Sequence, residues 1–178
     1  MQDCRERALI FFKQNKFGEA VQYFEKELEL SRGKGDEKTS LFVKMCIIRF
    51  RILLGDYGDC ERELKELKTE YVQFLKPESH LLGMWYFLYG SALFYLGKGG
   101  DIKKVAKDST SILQVNSEQS VYNLLDYCQA RLLEGKANWH YRNVLESFRC
   151  FVEVLEVILG SKHIHELGFL IGKSLGLI

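Results

Sequence analysis

A single interval recurs along the whole sequence. Ala8, Ile48, Gly90, Ala130 and Gly172 lie at steps of 40, 42, 40 and 42 residues, each within an apolar run of helical periodicity. All but the last of these positions are followed by a polar or glycine-containing break and then by a second apolar run. The pattern predicts a helical hairpin that is repeated along the chain. Because one hairpin cannot bury its apolar face alone, a repeat of about 40 residues is typical of a solenoid, in which neighbouring hairpins stack.

The repeat predicts a single domain over residues 1–178. Its breaks separate four hairpins and a terminal helix, at residues 3–31, 39–75, 79–115, 117–161 and 163–175. In the last hairpin we place the break at residues 135–138, where Gly135 interrupts the apolar run, and we expect the second helix to begin at Trp139. The apolar stripe of that helix, by which it should pack on the core, consists of Leu145, Phe148, Val152, Leu155 and Leu159.

The composition favours an all-α fold and narrows the choice of partners. Of the 178 residues, 47% are hydrophobic and one, Pro77, is proline, and few stretches alternate as a strand would. The net charge of +1 gives no general attraction to nucleic acid or to an anionic membrane. The apolar run at residues 81–96 is shorter than the roughly 18 to 20 residues that cross a bilayer. We therefore expect a buried central helix there and no membrane partner.

The cysteines and the start of the sequence predict a compartment. The five cysteines are odd in number, and none forms a C-x-x-C pair. This usage is typical of buried, reduced thiols in an intracellular protein. The first residues are charged where a secretory signal would be apolar. We expect a cytoplasmic protein, with the nucleus as the alternative.

The sequence patterns that could indicate a catalytic or ligand-binding site match known motifs only poorly. Residues 168–174 resemble a phosphate-binding loop, but only three residues separate the two glycines and no strand precedes them. His163 and His165 are two residues apart, which on a helix directs their rings to nearly opposite faces. We therefore predict no catalytic residue, no cofactor and no metal site, and we expect that the protein is not an enzyme.

One hairpin resembles a known family. In residues 18–30, the acidic–alanine pair Glu19-Ala20 and the aromatic Phe24 four residues later are similar to the second helix of a tetratricopeptide repeat. Ala8 and Phe11 occupy the matching small and aromatic positions of the first helix. The family repeat has about 34 residues, so the longer repeat here implies longer helices. The resemblance implies a right-handed solenoid in which the first helix of every hairpin lines a concave groove.

If this geometry holds, the repeat interval identifies the residues that line the groove. One row contains Arg5, Met45, Phe87 and Tyr127, and the next contains Arg49 and Arg131. Arginine and aromatic side chains dominate binding hot spots, so this surface suits a peptide with apolar anchors and some acidic residues. The alternative is that Met45 and Phe87 belong to the core and that the arginines pair with glutamates nearby. With the arginines on the groove surface, reversing the charge of Arg49 and Arg131 should leave thermal stability nearly unchanged.

These features predict a non-catalytic scaffold or adaptor that binds a protein or peptide through its groove, its apolar C-terminal end, or both. The alternative is a helical-repeat protein that binds RNA, which would require the arginines to form one basic strip with Lys103, Lys104 and Lys107. The terminal helix is apolar without a second helix to cover it. It should pack back on the preceding helix, be buried by a second copy or a partner chain, or continue into a longer protein.

Overall fold

The structure of the protein is a computed structural model that describes residues 2–117, 120–162, 165, 168–169 and 171–172. These residues form eight α-helices, one short 3-10 helix and no β-strand, so the predicted all-α class is confirmed. The helices are α1 (Gln2–Lys13), α2 (Phe17–Gly33), α3 (Glu37–Leu53), α4 (Tyr57–Glu70), α5 (His80–Tyr95), α6 (Ile102–Asn116), α7 (Val121–His140) and α8 (Val144–Gly160), with the 3-10 helix Gly99–Asp101 before α6.

The same tight turn ends five of the helices. In each turn one residue has a positive φ, and the next helical segment begins two residues later; these residues are Asn15, Gly35, Gly55, Gly97 and Arg142. The amide that follows the positive-φ residue donates a hydrogen bond to the carbonyl five residues before it, as Asp56 N does to Arg51 O at 3.0 Å. This bonding is the Schellman motif, which satisfies the last carbonyls of a helix. The repeat seen in the sequence is therefore partly a repeat of turn geometry.

Helix α5 lies at the centre of the packing. It contacts α3, α4, α6 and α7, and most of the buried side chains form one cluster. This placement explains the apolar run at residues 81–96. The Trp85 indole N–H donates to the carbonyl of Leu64 at 2.7 Å, which ties α5 to α4. In α2, Ala20 and Phe24 are fully buried, and the ring of Phe24 stacks on Phe50 of α3 with centroids 5.9 Å apart.

The break predicted at residues 135–138 is wrong. Helix α7 continues through it to His140, and the chain turns at Arg142 instead. Gly135 lies inside the helix because the ring of Phe151 packs against its backbone, where a β-carbon would come within 2.6 Å of the ring. The Ser147 hydroxyl also donates to the Gly135 carbonyl at 2.9 Å. The glycine permits a close approach of α8 and does not end α7.

The second incorrect prediction concerns the apolar stripe by which α8 was expected to pack on the core. That stripe lies on the exposed face of α8. The side chains that α8 buries are those of Ser147, Cys150, Val154 and Ile158, and α8 packs extensively against α7. The five predicted stripe residues are instead all exposed, by 43% to 70%. Helix α8 therefore has two apolar faces, of which one contacts α7.

Most of the predicted terminal helix, residues 163–175, lies outside the described residues. Ile171 is described and is buried in the main cluster, and Phe169 is exposed. Within the described part of the chain, every helix is too short or too polar to cross a bilayer.

Candidate functional site

An apolar cleft opens where α1, α3, α5 and α7 come together. It is lined by the apolar side chains of Phe12, Ile52, Leu53, Phe87, Leu88, Phe94, Tyr95, Leu132 and Leu133, and by the polar side chains of Arg49, Ser91, Gln129 and Lys136. The cleft encloses about 100 Å³. An apolar cavity of roughly 150 Å³ holds one benzene molecule, so the cleft has room for about one aliphatic side chain.

Arg49, which lines this cleft, belongs to a largely buried charge network. The Arg49 guanidinium donates to the Asp126 carboxylate at 2.6 Å, and His80 Nε2 donates to the second carboxylate oxygen at 2.9 Å. Burial alone would raise the pKa of Asp126, but Arg49 and His80 outweigh it and hold the pKa well below its usual range. The guanidinium also lies 5.5 Å from the centroid of the Phe87 ring. This Arg49–Asp126–His80 network joins α3, α5 and α7.

The network leaves hydrogen-bonding capacity unused. Arg49 Nε and His80 Nδ1 are buried, and neither has a hydrogen-bond partner among the described residues. An unsatisfied buried polar group destabilises a protein by about 1 to 3 kcal/mol. Arg49 also lines the apolar cleft, and its buried Nε–H is a donor without an acceptor among the described residues.

Lys136 differs from the other partly buried cations. Lys44 pairs with Glu70 at 3.1 Å, and Arg131 pairs with several carboxylates. Lys136 lines the apolar cleft with no ion pair to a described carboxylate, and burial lowers the pKa of its ammonium group. An uncompensated cation among apolar side chains makes the apolar cleft electrostatically complementary to an anion.

The predicted groove residues are not all found together. Arg49 and Phe87 meet in the apolar cleft. Met45 is fully buried and Tyr127 nearly so, with the Tyr127 hydroxyl donating to Glu153. We therefore correct the assignment of Met45 and Tyr127 from the groove surface to the core. Arg5 lies in α1, and the structure does not describe its side chain.

Arg131 lies apart from the apolar cleft, between α7 and α8. Its guanidinium donates to Glu134 at 2.7 Å and to Glu153 at 2.7 Å. These pairs match the alternative in which the arginines bind carboxylates nearby. Reversing the charge of Arg49 or Arg131 would leave carboxylates buried without their partner, so the expectation that thermal stability would be unchanged no longer holds.

One cluster beside Arg131 has the residue types of a metal site. Glu134, Glu146 and Cys150 each offer a ligand atom within 4.8 Å of the others. The Arg131 guanidinium already provides a positive charge at this position. Burial raises the pKa of the Cys150 thiol to about 11, so without a metal the thiol is protonated at neutral pH and is a poor nucleophile. The cluster is therefore accounted for as an ion-pair network.

Lys136 and Asp126 are two residues of the site that the sequence does not identify. Lys136 falls in the break predicted at residues 135–138, whereas α7 extends past it. Gln129, Leu132, Leu133 and Lys136 are spaced as one helix face, so a longer helix would have put Lys136 beside the apolar positions. The pairing of Asp126 with Arg49, 77 residues away, has no signal in the sequence.

Comparison with known proteins does not identify a family for this chain. It matches no protein-family model, and no curated protein is significantly similar to it in sequence. Its function is therefore inferred from the apolar cleft and from the surfaces of the helices.

Proposed function

We propose that this protein is a non-catalytic interaction scaffold that binds a peptide segment of a partner protein in the apolar cleft. The observation that carries the proposal is the combination of apolar walls with Lys136, which has no described carboxylate partner. Such a site favours a ligand with an apolar anchor beside a negative charge. All five cysteines are buried, and no disulfide joins any two of them, which supports a reducing compartment such as the cytoplasm or nucleus.

We further propose that the helices form a solenoid of the tetratricopeptide kind. Two features support it: the same turn recurs at Asn15, Gly55, Gly97 and Arg142, and the alternate helices α3 and α7 each contact α5. In such a solenoid the first helices of successive hairpins line the groove, and the apolar cleft is lined by α1, α3, α5 and α7.

The dimensions and charges of the apolar cleft define the ligand. A volume of about 100 Å³ accepts one aliphatic side chain of the peptide. A carboxylate of a neighbouring peptide residue would pair with Lys136, which lines the apolar cleft without a described carboxylate partner. The predicted partner is therefore a segment in which an aliphatic residue lies next to aspartate, glutamate or a C-terminal carboxylate.

Selection from a phage-displayed random peptide library tests this function. We expect the selected peptides to share an aliphatic residue beside an acidic one. Lys136→Glu should weaken the best peptide by about tenfold or more in fluorescence anisotropy, because it places like charges together. Lys136→Met, which keeps the apolar stem, should remove the preference for the acidic residue.

The control is Lys104→Glu, which makes the same charge change at an exposed position of α6 outside the apolar cleft. This variant should bind like the wild type, and thermal melting should show that all three variants fold. Failure to select any peptide, or unchanged binding by folded Lys136→Glu, would contradict the proposal.

The RNA-binding alternative has less support. Lys103, Lys104 and Lys107 are exposed on α6, but Arg49 and Arg131 are paired with carboxylates on other helices. The arginines therefore do not add free positive charge to the lysines. We expect little binding to single-stranded RNA at physiological salt; a steep fall of affinity with rising salt would instead support an RNA-binding protein.

A further inference from the structure

The outward face of α8 has the pattern of a coiled-coil seam. We call it the α8 stripe; its residues are Leu145, Phe148, Val152, Leu155 and Leu159. They are spaced by 3, 4, 3 and 4 residues, which is the a/d spacing of two paired helices. Scattered exposed apolar residues are ordinary on a protein surface, but a continuous apolar row along one helix marks a contact surface.

The α8 stripe belongs to a helix that is already folded and fixed in the structure. Helix α8 is held in place by its other face, where Cys150, Val154 and Ile158 are buried against α7. A partner that binds the α8 stripe therefore does not have to offset the free energy of folding the helix. From Leu145 to Leu159 the seam is about 21 Å long at about 1.5 Å per residue, which is enough for a weak interface between two helices.

The charges beside the α8 stripe indicate which helix would pair with it. Arg149 and Glu156 are seven residues apart and lie on the same flank, at position e of the heptad. In an antiparallel pair of identical helices, equal flanks face each other. Arg149 would then face Glu156 of the partner subunit, and the twofold symmetry would form this ion pair twice. In a parallel pair, position e of one helix would face position g of the other. In α8, position g is occupied by Phe151 and Ile158, which pack towards α7, so Arg149 and Glu156 would have no charged partner there.

We infer that the protein forms a homodimer through the α8 stripe, with the two α8 helices antiparallel. The dimer uses a face other than the apolar cleft, so it leaves the proposed peptide site open. Two copies joined in this way present two clefts, and a partner with two binding segments gains affinity from binding both.

Sedimentation equilibrium of the chain over roughly 2 to 200 µM, the range in which a small interface dissociates, tests the dimer. We expect the weight-average mass to rise towards twice the monomer mass. Leu155→Glu should keep the protein monomeric throughout, because it introduces a charge into the seam. Leu30→Glu is the matched control, since Leu30 is equally exposed, by 58%, but lies on α2.

A charge swap tests the antiparallel arrangement. Arg149→Glu and Glu156→Arg should each weaken the dimer at least severalfold, and the double variant should restore it, because the ion pair forms again with its charges exchanged. Both residues are exposed, so the swap also serves if Leu155→Glu fails to fold.

Three outcomes would overturn the inference. They are a wild-type chain that stays monomeric at every concentration, a dimer that persists in folded Leu155→Glu, and a double variant that fails to recover. None of these outcomes bears on peptide binding in the apolar cleft.

Discussion

Asp126 makes the stability of the folded protein depend on pH in the acid range. Its pKa is held below the usual range in the folded state by Arg49 and His80, so the ionised carboxylate stabilises the fold. This stabilisation is complete above the unfolded pKa of about 3.9 and is lost as the pH falls towards the lower folded pKa. We expect Asp126→Asn to lower the free energy of unfolding at pH 7 by about 3 kcal/mol, because Arg49 then lacks its buried counter-charge.

Urea denaturation between about pH 7 and pH 3 measures this effect. The variant should lose less stability than the wild type across the acid range, since it no longer has the carboxylate. Asp59→Asn is the control: Asp59 pairs with Arg62 on the surface, and exposed pairs contribute little. Parallel pH profiles for wild type and Asp126→Asn would refute the role given to Asp126.

Burial at single positions was predictable where one face of a helix is apolar. Phe24 is the aromatic residue by which α2 resembles a tetratricopeptide helix, and it is fully buried. Met45 could not be placed in this way, because α3 is buried around much of its circumference. The repeat interval relates equivalent positions in successive helices, but it does not tell which of them face a groove. That depends on the packing angle of neighbouring helices, which no local pattern determines.

At the scale of elements, the recurring turn provides a pair of opposite predictions. Arg142 adopts a φ of 58°, which is unfavourable for a residue with a β-carbon, whereas the turn at Gly55 has glycine at a φ of 95°. Arg142→Gly should therefore raise the free energy of unfolding by about 0.5 to 1 kcal/mol, and Gly55→Ala should lower it by about 1 kcal/mol.

Urea denaturation at pH 7 measures both changes. The control is Gly18→Ala, since Gly18 lies in α2 with a negative φ and with open space around its backbone. Alanine there should be neutral or slightly stabilising. A loss of stability in Arg142→Gly would mean that the arginine side chain contributes more than the turn geometry removes.

The boundaries of the helices were predictable where glycine lies in a turn, and not where glycine lies in a helix interface. Gly55 and Gly97 lie in the turns that end α3 and α5, while Gly135 is inside α7. Glycine meets either of two requirements: it tolerates a positive φ in a turn, or it allows another helix to approach closely. Helix α8 presents a similar ambiguity: with apolar residues on two faces, periodicity indicates a stripe but does not show which one meets the core.

At the scale of the whole molecule, the Arg49–Asp126–His80 network should make unfolding more cooperative. In a stack where each repeat contacts only its neighbours, end segments open independently. Arg49 and Asp126 are 77 residues apart and join α3 to α7, both of which also contact α5. We expect amides of α3, α5 and α7 to exchange hydrogen with similar, near-global protection.

Native-state hydrogen exchange of Asp126→Asn tests this coupling. The amides of α7 and α8 should exchange through a separate, lower-energy opening, while those of α3 keep a higher protection. Uniform loss of protection across all helices would show that the network stabilises the fold without coupling its parts.

The pairing of Arg49 with Asp126 also limits how the chain can change in length. Helical repeats are modular when each contacts only the next, because a unit can then be added or removed without disturbing the others. An additional hairpin between α3 and α7 would separate Arg49 from Asp126 by at least one more helix layer, about 8 to 10 Å. Two charges now paired at 2.6 Å would then be left without partners in the interior. The pairing therefore fixes the number of helices between α3 and α7, and we expect helices to be added or removed only outside that span.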